Sequence, residues 1–185
     1  MKKWNTKMLV EAGIMLALAV VLSRVVIYRA PQGGSVTAGS MIPILLFALR
    51  WGVGPGVIAG IAFGGLKLML GGTVFSPIQA ILEYPIAFGF LGLAGIFFSS
   101  IDFNAKDKLN INAYAKVIFS IFLAITGRFI CHFIAGVTVF AQYTPEGMHP
   151  WIYSLIYQST YLVPEFIISA IILSLLWKPL RRIEK

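Results

Sequence analysis

Long apolar stretches separated by short polar segments run through the whole chain. The apolar stretches cover residues 8–28, 41–50, 54–70, 77–98, 114–140 and 151–177. A helix of about 20 residues crosses a hydrocarbon core of roughly 30 Å, and most of these stretches approach or exceed that length. The segment 41–50 is short for a full span, so we expect it either to be partly sheltered by neighbouring helices or to extend into the loop. The pattern predicts an all-α membrane protein with six transmembrane helices, forming a single integral membrane domain over residues 1–185.

Two polar segments divide this pattern. Residues 29–40 contain Pro31 and the pair Gly33-Gly34, which predict a loop between the first two helices. Such a loop serves either as a lid over a site or as an idle connection, and its glycines do not decide between the two. Residues 99–113 form the sustained polar stretch of the chain. We interpret it as the connection between two halves of three helices each.

Composition supports a membrane protein and argues against a soluble domain, a nucleic-acid-binding protein and a zinc or redox protein. Of the 185 residues, 58% are hydrophobic and 12% are charged, and the mean hydropathy is +0.86, whereas a soluble domain has roughly a quarter charged residues. The net charge of +8 comes from short clusters between apolar segments, a pattern that does not favour nucleic acid. The lone Cys131 has no partner for a disulfide or for a zinc or redox motif.

The distribution of basic residues predicts the orientation in the bilayer. With six spans, both termini lie on one side of the membrane. Most basic residues fall on that side, namely Lys2, Lys3, Lys7, Arg50, Lys106, Lys108, Lys116, Lys178, Arg181, Arg182 and Lys185. The basic residues outside this set are Arg24, Arg29, Lys67 and Arg128. Because positive charge collects on the cytoplasmic side, both termini are predicted to be cytoplasmic, with the loops at 29–40, 71–76 and 141–150 facing outward.

Ionisable side chains at membrane depth mark candidate functional residues. Each charge there costs on the order of 2.5–3.5 kcal/mol and needs a partner. The candidates are Glu83, Arg128, His132 and Glu165. Glu83 and Arg128 either form an ion pair that joins two helices, or Glu83 faces a cationic ligand while Arg128 tunes it, and the two roles can coexist.

Residues 131–158 predict one wall of a binding site. His132, Gly136 and Phe140 recur every four residues and therefore share a helix face. After a turn containing Pro145, two stripes follow: Tyr153, Tyr157 and Tyr161 form an aromatic one, and Ser154, Gln158, Tyr161 and Glu165 form a polar one. Polar stripes on helices in a membrane face protein or a cavity.

Gly13 and Ala17 on the first helix form a small-xxx-small pattern. Such a pattern allows close approach of another helix, either from this chain or from a partner protein.

Other function classes find weaker support. An intramembrane enzyme needs a nucleophile with a base or a metal cluster, and the sequence contains no H-E-x-x-H motif and only two histidines. The sequence also contains no nucleotide-binding P-loop, so any use of ATP must come from partner proteins. A stand-alone transporter that uses Glu83, Arg128 and His132 as a proton relay remains an alternative.

Several short motifs resemble one family of membrane proteins. They are PQGGSV at 31–36, LEY at 82–84 with Gly89, HFIAG at 132–136, QY at 142–143 and EGMHPWIYSLIY at 146–157. They are similar to motifs of the ThiT/YuaJ family, the thiamine-specific S components of energy-coupling factor (ECF) transporters. The resemblance extends over nearly the whole chain.

The resemblance implies an S-component fold that captures thiamine on the outside of the cell membrane. It also implies docking on a transmembrane coupling protein with two ATPases, which alone would use ATP, and it involves no metal and no cofactor bound to this chain. Gly13 and Ala17 resemble the family's docking surface for the coupling protein.

The resemblance further assigns roles to site residues. Glu83 would face the cationic thiazolium ring of thiamine, and Gly136 would leave room for the ligand. Tyr84, His132 and Tyr153 would frame the ligand or form hydrogen bonds with it.

Two positions depart from the family pattern: Phe140 stands where a tryptophan commonly stacks on the ligand, and Gln158 stands where an asparagine commonly binds the aminopyrimidine. Pyridoxine or another small heterocycle is therefore the alternative ligand.

Overall fold

The computed structural model describes the backbone of residues 4–100 and 111–183 and the side chains of residues 4–97 and 114–176. Four helices in these ranges are long and apolar enough to cross a membrane: Thr6–Arg24, Pro77–Phe97, Tyr114–Thr138 and Pro150–Leu176. Two shorter apolar helices, Ile42–Trp51 and Val53–Met69, lie between the first and second of them. The protein is thus mostly helical, as the sequence predicted. The count of six spans stays a prediction, and the predicted connection at 99–113 lies largely outside the described residues.

The first helix, α1 (Thr6–Arg24), ends earlier than the sequence predicted. Its N-terminus is capped by Asn5, whose side chain accepts a hydrogen bond from the Met8 amide at 2.8 Å. The sequence predicted helix up to residue 28, but Val26–Arg29 forms strand β1 and pairs antiparallel with β2 (Ser35–Thr37). A run of β-branched residues over 25–27 favours a strand, whereas hydropathy alone cannot separate it from the helix. The predicted loop at 29–40 therefore contains the turn and the second strand of a hairpin.

Helix α2 (Ile42–Trp51) lies at the centre of the fold. Most of its side chains are buried, including Ile44, Leu45 and Leu49 at 0% exposure. They join the main hydrophobic cluster with Phe63, Phe88 and Leu91 from the next two helices. The expectation that neighbours shelter this short helix is confirmed.

Helices α3 (Val53–Met69) and α4 approach each other closely. We define α4 as the helical segment that begins at Pro77–Ile81 and ends with Phe90–Ser100. A side chain at Gly60 or Gly64 would overlap the backbone of α4 at Phe88 or Tyr84. The glycines of α3 thus permit close contact between these two helices.

A wide turn interrupts α4 at Leu82–Ile86, where the backbone is π-helical and contains Pro85. Proline removes one backbone donor and crowds the preceding turn, which disfavours regular α-helix. Single π-helical turns often occur at functional sites. Glu83 and Tyr84 lie in this turn.

The last two helices, α5 (Ile111–Thr138) and α6 (Pro150–Ile183), pack side by side. A short 3₁₀ turn, Ala141–Tyr143, lies between them. The Ser154 hydroxyl donates a hydrogen bond to the Phe133 carbonyl at 3.0 Å across this contact. The packing brings the end of α5 and the start of α6 to the same side of the fold as the hairpin.

Candidate functional site

A cavity of about 180 Å³ lies where the hairpin, the end of α3, the start of α4, the end of α5 and the start of α6 converge. The loops at this end are those predicted to face outward. Its main polar and aromatic lining consists of Gln32, Lys67, Gln79, Glu83, Tyr84, Arg128, His132, Phe140, Tyr157, Gln158 and Tyr161. The hairpin and the glycine-containing turn after α3 complete the lining with Gly33, Gly34, Ser35, Gly71 and Gly72.

Glu83 is held in place by two neighbours on different helices. One carboxylate oxygen accepts a hydrogen bond from the Gln79 amide nitrogen, one turn earlier on α4. The other lies 3.3 Å from Nδ1 of His132 on α5. Gln79 is itself fixed, because its oxygen accepts from the Phe75 amide at 3.1 Å and its nitrogen donates to the Thr73 carbonyl at 3.2 Å. The carboxylate therefore has a defined orientation in the cavity.

His132 lies between Glu83 and Arg128. The Arg128 Nε lies 3.3 Å from His132 Nε2 and donates to it, while Nδ1 of the same ring faces the carboxylate. Both contacts are satisfied together by a neutral imidazole that carries its proton on Nδ1. The imidazole ring thus links Glu83 to Arg128 indirectly, whereas one of the two possibilities for these residues was a direct ion pair.

Four cationic side chains line the same cavity: Arg24, Arg29, Lys67 and Arg128. The guanidinium carbon of Arg128 lies 4.3 Å from the centre of the Phe88 ring, and the Lys67 ammonium lies 5.3 Å from it. Arg24 donates to the Leu70 carbonyl at 3.2 Å. Cations over an aromatic face are partly compensated by the ring's negative face. Glu83 is the single carboxylate among the described residues that line the cavity.

Aromatic rings form much of the remaining wall. Tyr84 donates its hydroxyl to the Thr73 carbonyl at 3.2 Å. Phe140 packs edge-to-face on Phe75, with ring centres 5.0 Å apart. Tyr161 meets the His132 ring edge-to-face at 5.9 Å. A carboxylate among aromatic faces suits a flat heterocycle that carries positive charge.

Comparison with known proteins identifies the family. The chain matches the family model of the thiamine transporter protein, Thia_YuaJ, over residues 9–185. The chain belongs to this family. It is 39% identical over 180 residues to the thiamine transporter ThiT of Bacillus subtilis (strain 168), an alignment that covers 96% of this chain and 93% of that protein. It is 35% identical over 156 residues to the thiamine transporter ThiT of Lacticaseibacillus paracasei, covering 80% of this chain and 75% of that protein.

A solved structure in the thiamine transporter family shares the fold. The structure of ThiT from Listeria monocytogenes superposes with a TM-score of 0.82 at 27% identity, covering 95% of this chain and 96% of that chain. The resemblance to the ThiT/YuaJ family is therefore confirmed. Family membership and several apolar helices make this a multi-pass membrane protein, as the sequence predicted. The relatives are named as transporters, which are not enzymes.

The cavity brings together five of the seven residues that the sequence predicted to bind substrate. These are Glu83, Tyr84, His132, Phe140 and Gln158. Their roles toward a ligand stay predictions.

The other two predicted residues, Gly136 and Tyr153, do not line the cavity. A side chain at Gly136 would overlap the Ser154 hydroxyl and lie 3.0 Å from the Gln158 amide nitrogen, so this glycine makes room for α6. Tyr153 packs against Tyr157, with ring centres 5.9 Å apart.

Gln158 is engaged within the protein. Its amide nitrogen donates to the His132 carbonyl at 3.0 Å, and its oxygen accepts a hydrogen bond from the Tyr161 hydroxyl. The amide thus joins α5 to α6 next to the cavity. One amide hydrogen and one oxygen lone pair remain for a further partner.

Several cavity residues were not predicted to bind substrate, although the sequence carries signals for them. Gln79 lies one turn before Glu83 on the same helix face, and Tyr157 and Tyr161 lie on the face of Tyr153. The four cavity cations are the basic residues that lie outside the set predicted to be cytoplasmic. Only the tertiary structure shows that these charges lie together at one end of the fold.

The predicted docking residues Gly13 and Ala17 lie on an exposed face of α1. A side chain at Gly13 would meet no atom within 4 Å. Large apolar side chains on the same helix are also exposed, including Ile14 at 53% and Leu18 at 47%. Packing against another helix of the described part of this chain therefore does not explain the small residues.

Proposed function

We propose that this chain is the substrate-binding S component of an ECF-type importer that captures thiamine at the outer face of the membrane. The observation that carries the proposal is Glu83, the single carboxylate among the described lining residues of an aromatic cavity. Thiamine is a flat molecule with a permanent positive charge, and carboxylate and aromatic faces both attract such a cation. The names of the relatives, which are thiamine transporters, support the same ligand.

The proposal places six spans in the bilayer, with both termini in the cytoplasm. The cavity lies at the end of the fold where the hairpin and the turns after α3 and α5 meet. Those segments are predicted to face outward, and the basic residues Arg24, Arg29, Lys67 and Arg128 gather there rather than on the side of the termini. Under this orientation the cavity opens toward the outside, where a capture protein needs it.

Delivery of the ligand requires partners. A transmembrane coupling protein would dock on the exposed face of α1 at Gly13 and Ala17, where small residues permit close helix contact. Two ATPases would supply the energy, because the sequence contains no nucleotide-binding motif. In this proposal the chain itself catalyses no reaction.

Pyridoxine is the second candidate ligand, and one observation favours it. Phe140 lines the cavity with a smaller ring than the tryptophan of the family pattern, and Gln158 uses its amide to join α5 to α6. A smaller ring and a longer amide at these two positions reshape the pocket, which favours another small heterocycle.

Calorimetric titration of the purified protein with thiamine and with pyridoxine tests the ligand. Among the described residues no tryptophan lines the cavity, so heat of binding is a more direct signal than tryptophan fluorescence. We expect tight binding of thiamine and weak binding of pyridoxine. The reverse order would reject thiamine and leave the capture mechanism in place.

Uptake into vesicles tests the mechanism. We expect accumulation of labelled thiamine only when the coupling protein, both ATPases and ATP are present. A stand-alone proton-coupled transporter would instead accumulate the label in response to a proton gradient alone.

A further inference from the structure

Helix α6 holds the hairpin through three residues that are each one turn apart. Tyr157 accepts a hydrogen bond from the Gln32 amide at 2.9 Å. The Tyr161 ring lies so close to Gly34 that any side chain there would overlap it. Glu165 accepts two hydrogen bonds from Thr37, at 2.7 Å from the amide and 2.7 Å from the hydroxyl. One face of α6 therefore contacts the hairpin from its turn at Gln32 to the end of β2 at Thr37.

Glu165 is a buried carboxylate outside the cavity lining. It is 2% exposed, as are its neighbours Thr37 and Ser40. The Ser40 hydroxyl lies 2.8 Å from the Thr37 hydroxyl, and the Ser40 amide donates to that hydroxyl at 3.1 Å. A buried charge is tolerated only with good partners, and hydrogen bonds to a charged acceptor are stronger than neutral ones.

The hairpin supplies the main hydrogen bonds of this carboxylate. Only one oxygen of Glu165 accepts from Thr37, and the other has no partner among the described residues. The hydroxyl of Ser169, one turn further along α6, also lacks a partner in the described part of the chain. Release of the hairpin would therefore leave the carboxylate with no described hydrogen bond.

The hairpin forms one side of the cavity. Its turn contributes Gln32, Gly33 and Gly34 to the lining, β1 contributes Val26 and Arg29, and β2 contributes Ser35. Movement of the hairpin away from α6 would thus open the cavity without any change in Glu83 or His132. The position of Thr37 at the end of β2 links that movement to Glu165.

We propose that Glu165 is a positioning residue that fastens the hairpin to α6 and so sets how long the ligand stays in the cavity. It acts through Thr37 and does not contact the ligand. This inference rests on the proposed function only for the identity of the ligand, because the contact between hairpin and helix exists in the protein alone.

Three variants of the full chain separate the charge, the acceptor and the donor. Glu165→Leu removes the acceptor at similar size, Glu165→Gln keeps an acceptor oxygen without charge, and Thr37→Val removes the hydroxyl but keeps the amide. Because loss of a hydrogen bond to a buried charge commonly costs tenfold or more, we expect Glu165→Leu to raise the thiamine dissociation rate by about tenfold or more. Glu165→Gln and Thr37→Val should show smaller increases. Thr37→Val should add little on top of Glu165→Leu, because the two act on one contact.

Trypsin cleavage after Arg29 reports on the hairpin itself. Arg29 is exposed but lies in β1, paired with Ser35, so cleavage requires local opening of the hairpin. Mass spectrometry distinguishes this cut from one after Arg24. In the ligand-free protein we expect Glu165→Leu to speed cleavage after Arg29 and Glu165→Gln to speed it less. Glu83→Gln, the matched variant in the cavity, should weaken thiamine binding and leave the cleavage rate as in the parent.

The outcomes are decisive in either direction. A Glu165→Leu protein that melts near the parent temperature and yet shows the parent cleavage rate would overturn the inference, as would faster dissociation without faster cleavage. If Glu165→Leu does not fold, Thr37→Val carries the test, and parent rates in both assays would reject the inference. If the parent does not bind thiamine, the proposed ligand fails while the cleavage comparison still decides the role of Glu165.

Discussion

Replacement of Glu83 by glutamine tests the contact that carries the proposed function. The Glu83 side chain is 12% exposed and accepts from Gln79 and faces His132. Glutamine keeps one acceptor oxygen but places an amide NH₂ at the other position. Gln79 cannot rotate to accommodate it, because its oxygen is bonded to the Phe75 amide and its nitrogen to the Thr73 carbonyl. The change thus removes the negative charge and brings a donor against a donor at one contact.

The expected loss follows from Coulomb's law. A cationic ring about 5 Å from the carboxylate, at an effective dielectric constant of about 20, gains roughly 3 kcal/mol. Since each 1.4 kcal/mol is tenfold in affinity, we expect Glu83→Gln to weaken thiamine binding on the order of 100-fold. Loss of charge should dominate, because one acceptor contact survives.

A pair of ligands isolates the charge. Calorimetry would compare thiamine with a neutral isostere in which carbon replaces the quaternary ring nitrogen. The parent should bind the isostere more weakly than thiamine, and Glu83→Gln should lower its affinity for the isostere only by the few-fold effect of the lost contact. Equal losses for both ligands would show that Glu83 does not act through its charge.

Glu165→Gln is the matched control, because it neutralises a second buried carboxylate that lies outside the cavity lining. Its amide oxygen can still accept from Thr37. We expect a smaller loss of thiamine affinity than for Glu83→Gln. A Glu83→Gln protein with parent affinity would refute the reasoning, and so would a larger loss in Glu165→Gln.

Three further predictions concern docking, ligand choice and charge. Gly13→Leu should abolish uptake in cells but leave thiamine binding by the purified protein intact. Gly65→Leu is the control, because its new side chain also meets open space, and it should spare both uptake and binding. Loss of binding in Gly13→Leu would indicate that Gly13 serves internal packing. If the ligand is thiamine, Phe140→Trp should tighten its binding by about fivefold, and Gln158→Asn should act in the same direction. Weaker thiamine binding by both variants in calorimetry would favour a smaller ligand. Because four cations line the cavity, salt should screen their repulsion of thiamine and speed its association by about twofold in stopped-flow measurements. Lys67→Met should weaken this dependence on salt. Slower association at high salt would contradict the prediction.

Hydropathy located the helices because membrane thickness imposes a length on apolar segments. It placed α2 and α3 within about two residues of their observed bounds. It failed at the end of α1, because an apolar β-branched run over 25–27 has the same hydropathy in a helix and in a strand. The pairing of β1 with β2 depends on a turn and a partner strand, which no single apolar run reveals.

The candidate site, too, was only partly predictable from the sequence. Ionisable side chains at membrane depth predicted Glu83 and His132, and helical spacing predicted Phe140; all three line the cavity. Helical spacing also placed Gly136 with them, but spacing fixes only which residues share a face, and that part of the face packs on α6 at Ser154. Spacing likewise showed that Arg128 and His132 are one turn apart, whereas the position of Glu83 opposite the imidazole depends on how α4 meets α5.

Under the proposed function, the imidazole between Glu83 and Arg128 would allow this carboxylate to attract a cationic ligand. In a direct pair the guanidinium would compensate the carboxylate, and a positive ligand would gain little by replacing it. In the structure, Arg128 is directed instead at His132 Nε2 and at the Phe88 ring, 4.3 Å away. A neutral ring can donate to Glu83 through Nδ1 without cancelling its charge, so the carboxylate stays oriented and still attracts a cation. Under the proposed function, Glu83 would thus remain available to the ligand while the charge of Arg128 is held nearby.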